Sequence, residues 1–253
     1  QLMENKTTIV IPARYNSKRI PGKVLLKIND KTIIQLVYEQ AIKVKNCDRV
    51  IIATDSQVVV DECNKFTENV VLTSGNHKSG TDRIAEVCQN VCSDYIVNLQ
   101  GDEPIINPNN IERFIDFMKS KNEKMYSMYK HITSESEVIN HNIPKVIIDV
   151  NGFAIYFSRS PIPYYREIQS TNDNNNLSSL TYFKHIGIYG YRKEFLLNYS
   201  ELRESYLERV EKLEQLRAIE NGFKICMMET EYDTISIDTY EDYINLKKYM
   251  NVN

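Results

Sequence analysis

Short apolar runs alternate with amphipathic stretches along the first 120 residues. Residues 7–11 (TTIVI) form a β-branched run that stops at Pro12, which predicts a buried strand. Residues 31–44 place Ile33, Ile34, Val37, Ala41 and Val44 near helical spacing, and Thr32 is suited to cap that helix. A second strand is predicted at 49–53 (RVIIA), with Asp55 able to cap the helix after it, and a third at 69–72. A helix follows over 81–91, then a fourth strand at 95–99 (YIVNL) that runs into Gln100-Gly101-Asp102. Strands alternating with helices predict an α/β fold with a mainly parallel sheet flanked by helices. Ligands of such sheets bind beyond the carboxyl ends of the strands. That rule singles out residues 13–23, 54–55, 73–81 and 100–104.

From about Met125 the pattern turns β-rich: 145–150, 154–157 and 182–191 read as strands. Between them, 170–179 (STNDNNNLSS) reads as a polar surface loop. Residues 207–221 return to helical spacing, with Gly222 as a natural stop. A strand at 224–228, an extended 235–237 and a helix over 241–249 close the pattern. No internal repeat is visible. The organisation this predicts is one domain over 1–253, carrying a β-rich insertion over about 125–191.

Charge narrows the possible partners. With 31 basic and 34 acidic residues the formal net charge is −3, without the basic excess on which nucleic-acid binding relies. No apolar run approaches the ~18–20 residues of a membrane span, and no signal-peptide pattern is present. The five cysteines, Cys47, Cys63, Cys88, Cys92 and Cys226, show neither a CxxC pair nor zinc spacing. An odd cysteine count and absent targeting predict a protein of the reducing cytosol, with neither membrane nor nucleic acid as partner.

Candidate chemistry sits at the predicted strand ends. Residues 11–23 (IPARYNSKRIPGK) hold Arg14, Lys18, Arg19 and Lys23 in a loop after a strand, where backbone N–H groups and cations can neutralise a triphosphate. The spacing is neither GxxxxGK[ST] nor GxGxxG. In 100–104 (QGDEP), Gly101 permits close backbone approach. Asp102 is a hard oxygen ligand suited to Mg²⁺, which uses one or two carboxylates plus substrate phosphates. Asp238 has the same placement, at a strand end before a helix. For either aspartate helix capping is the plain alternative, and for Asp238 capping is the commoner explanation. Both beside a basic loop nevertheless point to metal-assisted phosphoryl chemistry. In the β-rich half Arg159 can grip a carboxylate in bidentate fashion. His185 and Tyr189, four apart in a strand, point to one face, although a lone strand histidine is more often a satisfied core group. Glu214 and Gln215 offer hydrogen-bonding groups for sugar hydroxyls, against the default of an exposed polar helix face.

Seven segments together resemble CMP-Kdo synthetases, the 3-deoxy-manno-octulosonate (Kdo) cytidylyltransferases. They are 11–25 (IPARYNSKRIPGKVL), 77–87 (HKSGTDRIAEV), 97–104 (VNLQGDEP), 156–163 (YFSRSPIP), 183–192 (FKHIGIYGYR), 213–217 (LEQLR) and 237–243 (IDTYEDY), in register over about residues 7–250. The resemblance implies a nucleotide-diphospho-sugar transferase fold and a homodimer built largely through the β-rich insertion. It also implies a place in lipopolysaccharide or capsule precursor synthesis, with CTP and an acidic keto-sugar as substrates. It assigns the CTP phosphates to Arg14, Ser17, Arg19 and Lys23, and the cytidine to Ser79, Gly80 and Thr81. Ala13 and Thr73, which open two of the strand-end segments, complete the nucleotide-binding set. Mg²⁺ falls to Asp102 and Asp238, and sugar contacts to Gln100, Arg159, Arg166, His185, Tyr189, Glu214 and Gln215. The implied reaction is in-line attack of the sugar's anomeric hydroxyl on the α-phosphorus of CTP, with Lys23 and Arg14 stabilising the leaving pyrophosphate. The sugar itself stays open between Kdo, an amino-substituted Kdo and a sialic-acid-like relative, although GKVL and HIGIYGYR favour the Kdo branch. A non-catalytic nucleotide-sugar binder is the alternative of another class.

Overall fold

Residues 7–12 form β1 (Thr7–Pro12) because all six positions are buried, which suits a strand covered on both faces and rich in β-branched side chains. The computed structural model describes residues 5–16, 19–77, 79–166 and 181–252. After β1 the chain makes a short hairpin of β2 (Lys27–Ile28) and β3 (Lys31–Thr32). It then alternates α1 (Ile33–Ala41), β4 (Arg49–Thr54), α2 (Gln57–Cys63), β5 (Val70–Leu72), α3 (Gly80–Cys88), β6 (Tyr95–Asn98) and α4 (Pro108–Ser120). Thr32 caps α1 as expected, its hydroxyl accepting from Gln35 N at 3.3 Å.

The described residues divide into two units. The first takes the chain up to Asn122, together with Ile188–Ser200 and the chain from Thr234. Its sheet is parallel across β5, β4, β1 and β6. One edge is closed in antiparallel fashion by the later half of β10 (Phe183–Arg192), where Tyr189 pairs with Asn98 and Arg192 with Tyr95. Helices α1, α2 and α3 pack on these strands, so the predicted α/β arrangement is present. Two helices of this unit are absent from the predicted pattern: α4, and α6 (Lys193–Tyr199), which lies against α3. The unit ends with α9 (Tyr240–Val252).

The second unit consists of Glu123–Gly187 and Glu201–Asp233. It therefore contains more than the β-rich stretch over about 125–191. In it β7 (Met125–His131) pairs in parallel with β11 (Ile225–Glu229). The strands β8 (Lys145–Ile148) and β9 (Ala154–Ser158) are antiparallel, and the start of β10 adds to β8 through Lys184 and Lys145. The short helix α5 (Glu135–Ile139) precedes β8. The polar stretch 170–179 lies outside the described residues.

Two local expectations need correcting. The helix predicted over 207–221 is two helices, α7 (Tyr206–Glu211) and α8 (Leu216–Glu220). Lys212 stands between them in the left-handed region at φ 55°. The Glu211 carbonyl accepts Arg159 Nε at 2.7 Å, so a contact distant in sequence holds the oxygen that a continuing helix would use. Asp55 does not cap α2, because Ser56 occupies the cap position and the Asp55 carboxylate faces Arg83 at 2.8 Å.

Candidate active site

The carboxyl ends of β1 and β6 open onto a cleft of about 380 Å³, lined among others by Arg14, Lys23, Gly80, Gln100 and Asp102. The cleft lies within the first unit. Ala13 is buried and its N–H donates to Ala53 O at 2.8 Å, which fixes where the loop leaves the sheet. The loop closes on itself through Gly22 N to Tyr15 O at 2.8 Å. Gly22 sits at φ 68°, a conformation open to glycine at little cost, and starts the 3₁₀ turn Lys23–Leu25. Buried Val24 anchors that turn, so Lys23 projects from a fixed backbone. The Gln100-Gly101-Asp102 loop passes very close to β1. A Cβ on Gly101 would stand 2.6 Å from Pro12 O, which explains why glycine occupies this position.

The two aspartates, 136 positions apart in sequence, converge on one ammonium. Lys23 Nζ is hydrogen-bonded to Asp102 Oδ2, donates to Ile237 O at 2.9 Å and lies 3.8 Å from Asp238 Oδ1. Arg19 reaches Asp238 Oδ1 at 2.9 Å from the exposed side. Neither aspartate caps a helix. The helix after Asp102 is capped by Asn107, which accepts from Asn110 N at 3.2 Å. The start of α9 is held by Thr239 and Asp242: Asp242 N donates to Thr239 Oγ1 at 3.1 Å, and Asp242 Oδ2 accepts from the N–H groups of Asp238 and Thr239 at 3.0 and 2.7 Å. Asp238 is therefore left with a carboxylate turned to Lys23 and Arg19. The backbone sets the pair, with Ile237 N donating to Asp102 O at 3.1 Å.

Beside Asp102 stands Glu103, a buried carboxyl that sequence reasoning left without a role. Burial, then the adjacent Asp102 charge, pushes it up to about 8, while a hydrogen bond with Thr234 pulls the other way. It is therefore mainly protonated at neutral pH.

The nucleotide-binding set beyond the basic loop is arranged around α3. Ser79 caps α3 in a reciprocal box, accepting from Asp82 N at 3.1 Å while Asp82 Oδ2 accepts from Ser79 N at 3.2 Å. Gly80 is the residue of this set that lines the cleft, and Thr81 is buried. The Thr73 hydroxyl is engaged inside the fold: it donates to Thr54 O at 3.0 Å and accepts from Arg83 Nη1. Arg83 adjoins this set, and sequence reasoning gave it no role. Only 1% exposed, it joins Thr73 to Asp55 and so ties α3 to the ends of β4 and β5. Its presence in HKSGTDR was the available signal; its burial was not readable. Glu86, one turn further on, accepts from Ser74 N at 3.0 Å and pairs with His77. Burial pushes Glu86 up, but these bonds outweigh it and hold the carboxyl below its usual range. Ser17 lies outside the described residues.

The sugar-contact candidates are distributed differently. Gln100 lines the cleft, with Nε2 3.4 Å from Asn98 Oδ1, and Tyr189 is the strand partner of Asn98. In the second unit His185 and Gln215 meet at 3.4 Å between His185 Nδ1 and Gln215 Nε2, both buried. Ser127 Oγ lies 2.8 Å from His185 Nε2. Burial pushes the His185 imidazole down to about 3, so it is neutral at ordinary pH. Arg166 is exposed, and Glu214 adjoins Gln215. Arg159 is engaged by backbone, through Nε to Glu211 O, Nη1 to His141 O at 3.0 Å and Nη2 to Lys212 O at 3.4 Å. Those bonds use one N–H each of Nε, Nη1 and Nη2, which leaves one N–H on each terminal nitrogen for a carboxylate.

Among the described residues no cluster of three or more His, Cys, Asp or Glu could hold a metal ion. A cation at Asp102 and Asp238 would thus rest on two protein carboxylates, as Mg²⁺ does when substrate phosphates complete its shell. The Lys23 ammonium between them is a stand-in showing that both oxygens can serve one positive charge.

Comparison with known proteins bears on this geometry. A family model described as Cytidylyltransferase matches residues 8–225. The 3-deoxy-manno-octulosonate cytidylyltransferase of Thermodesulfovibrio yellowstonii is 46% identical, over 97% of this chain and 98% of its own. The protein of the same name from Fusobacterium nucleatum is 44% identical, over 96% of each. A solved CMP:2-keto-3-deoxy-manno-octonic acid synthetase complexed with CTP superposes with a TM-score of 0.90 at 39% identity, over 98% of this chain and 99% of its own. The 4-diphosphocytidyl-2C-methyl-D-erythritol synthase of Anaerococcus prevotii shares the fold alone, at 13% identity and a TM-score of 0.62 over 97% and 96%.

Proposed function

The chain belongs to the cytidylyltransferase family, among the 3-deoxy-manno-octulosonate cytidylyltransferases, and on that premise we propose that it transfers CMP from CTP to Kdo and releases pyrophosphate. The observation that carries this reading is the meeting of Lys23, Asp102 and Asp238 beside a cleft at the carboxyl ends of β1 and β6.

Arg14 and Lys23 face the triphosphate from the basic loop, and Gly80 at the start of α3 lets the nucleotide approach a helix N-terminus, where N–H groups favour negative charge. Gln100 is the cleft residue placed for a sugar hydroxyl. The anomeric hydroxyl attacks the α-phosphorus in line; its oxygen gains the new P–O bond, the bond to the β-phosphate breaks, and the hydroxyl proton is released. Positioning and charge stabilisation supply most of the catalysis in such transfers. Lys23 and Arg14 stabilise the charge that accumulates on pyrophosphate. Mg²⁺, held by Asp102 and Asp238, would neutralise phosphate charge and acidify the attacking hydroxyl.

In the second unit His185, whose two ring nitrogens are engaged by Ser127 and Gln215, would position Gln215 for a sugar hydroxyl. Arg166 is the exposed cation suited to the sugar carboxylate. A homodimer through the second unit accords with Ile155, Tyr206 and Val210, which are 54–64% exposed there, and light scattering would give twice the mass of 29.6 kDa. No described helix is long and apolar enough to cross a membrane, which accords with a cytoplasmic place in lipopolysaccharide or capsule precursor synthesis.

The test is pyrophosphate release from CTP and Mg²⁺ against a panel of Kdo, amino-Kdo and sialic acid. Kdo should give the highest kcat/KM. A preference for amino-Kdo or sialic acid would move the assignment to that sugar, and no release with any of them would leave a non-catalytic binder.

A further inference from the structure

The position that a divalent cation would take between Asp102 and Asp238 is the position where the chain places its own ammonium. Lys23 Nζ touches Asp102, stands 3.8 Å from Asp238 Oδ1 and is steadied by Ile237 O at 2.9 Å. The Lys23 side chain is 15% exposed and Asp102 22%, so water screens this contact only in part. By contrast Arg19, which pairs with Asp238, is 64% exposed.

We infer that Lys23 is an exchangeable counter-ion of the metal site: in the ligand-free protein it competes with the divalent cation for the same two carboxylates, and a triphosphate displaces it. This rests on the assignment of Mg²⁺ to Asp102 and Asp238. Two cations cannot share one pair of carboxylates without strong repulsion at this spacing. Lysine suits the exchange because it is a compact charge on a flexible four-carbon stem, with donors that fit phosphate oxygens as well as carboxylates. The backbone can stay in place, since buried Val24 and the left-handed Gly22 fix the turn that carries it. Drawn to the phosphates, the ammonium leaves both aspartates to the metal. Nucleotide and metal then favour each other's binding by the same factor. The resident lysine also keeps two acidic side chains from repelling one another when no substrate is bound.

The test uses the full chain and Mn²⁺ as probe, with bound and free metal separated by the paramagnetic resonance of free Mn²⁺ and no sugar present. Wild-type protein should bind Mn²⁺ weakly alone and more tightly with CTP, after correction for Mn²⁺ held by CTP in buffer. Lys23→Met should bind Mn²⁺ alone at least about tenfold more tightly than wild type, a difference of ~1.4 kcal/mol, and should lose most of the gain from CTP. Lys23→Gln, which keeps a donor for Ile237 O, serves if the Met variant does not fold. Binding of Mn²⁺ by the lysine variants no tighter than by wild type would overturn the exchange. Failure of the underlying assignment reads differently: Asp102→Asn would then leave Mn²⁺ binding unchanged in both backgrounds.

Discussion

In the first unit, charges of opposite sign gather at a loop mouth and stay accessible. Asp238 is 41% exposed, Arg19 64%, and one lysine serves two carboxylates and a carbonyl. In the second unit the cations are held more tightly, although the acids beside Lys184 are about as exposed as those of the first. Lys184, 8% exposed, lies between Glu137 and Asp233, and Arg159 is tied to carbonyls of His141, Glu211 and Lys212. Glu211 returns the tie by accepting from Ser158 Oγ, Arg159 N and Tyr156 OH at 2.6, 2.9 and 3.2 Å. Equal charge thus has unequal use. A cation that is buried between its acids or tied to backbone carbonyls holds structure, whereas one that lines a cleft can be redirected by a substrate.

The largest effect that would test this contrast is at Asp102. Asp102→Asn should lower turnover at least about a thousandfold, the scale expected when a charge-stabilising group is lost from a phosphoryl-transfer site. Its thermal midpoint should stay within a few degrees of wild type. Turnover near wild type would move the centre of the chemistry elsewhere.

Next comes Arg83, a charge of the first unit that is engaged as internally as those of the second. Arg83→Met leaves Asp55 without its partner and should cost about 3 kcal/mol, the lower end of the range for a broken buried pair because Asp55 is 17% exposed. Urea denaturation reads the loss. Among molecules that still fold, KM for CTP should rise more than kcat falls, because Arg83 ties α3 to Thr73 and Asp55. A smaller loss, about 2 kcal/mol, is expected from Glu211→Ala, which removes the acceptor of three hydrogen bonds in the second unit. A loss near zero would make that network incidental.

How far the sequence revealed this depends on whether the deciding contact is local. The strands β1, β4 and β6 were legible because burial on both faces makes continuous apolar runs, and the Thr32 cap because its partner is three residues away. The α4 helix was also written locally, with Asn107, Pro108 and apolar Ile111, Phe114, Ile115 and Met118 at helical spacing; it was passed over, not hidden. That Asp238 is not a cap could have been read from Thr239 and Asp242, a box three residues wide. The break at Lys212 could not be read, since it depends on Arg159, 53 residues earlier. The burial of Arg83 depends likewise on Asp55 and Thr73, and the commitment of Arg159 on carbonyls remote in sequence. Loop placement at strand ends picked out Arg14, Lys23, Gly80, Gln100 and Asp102, which one cleft brings together. The polar residues of the second unit carry no such positional rule, and their tasks became visible only with their partners.

Acid titration separates the two units by sign. His185 in the second unit is depressed from 6.5 to about 3 by burial; its contribution is present above pH 6.5 and is lost as pH falls toward 3, so it makes stability rise with pH over that window. Glu103 in the first unit is raised from 4.5 to about 8, first by burial and then by Asp102; its contribution is present below pH 4.5 and is lost as pH rises through about 8. Between pH 4.5 and 6.5 the two slopes oppose each other, each at most ~1.4 kcal/mol per pH unit, so these two contributions nearly cancel in the wild-type chain. Removing one group exposes the other. In chelator, with urea denaturation at about pH 5 and about pH 6, His185→Gln should be less stable at the higher pH and Glu103→Gln more stable there, by ~1 kcal/mol each. Equal slopes in both variants and in wild type would mean that neither side chain keeps its buried charge state, and the contrast between the units would then rest on the ion pairs alone.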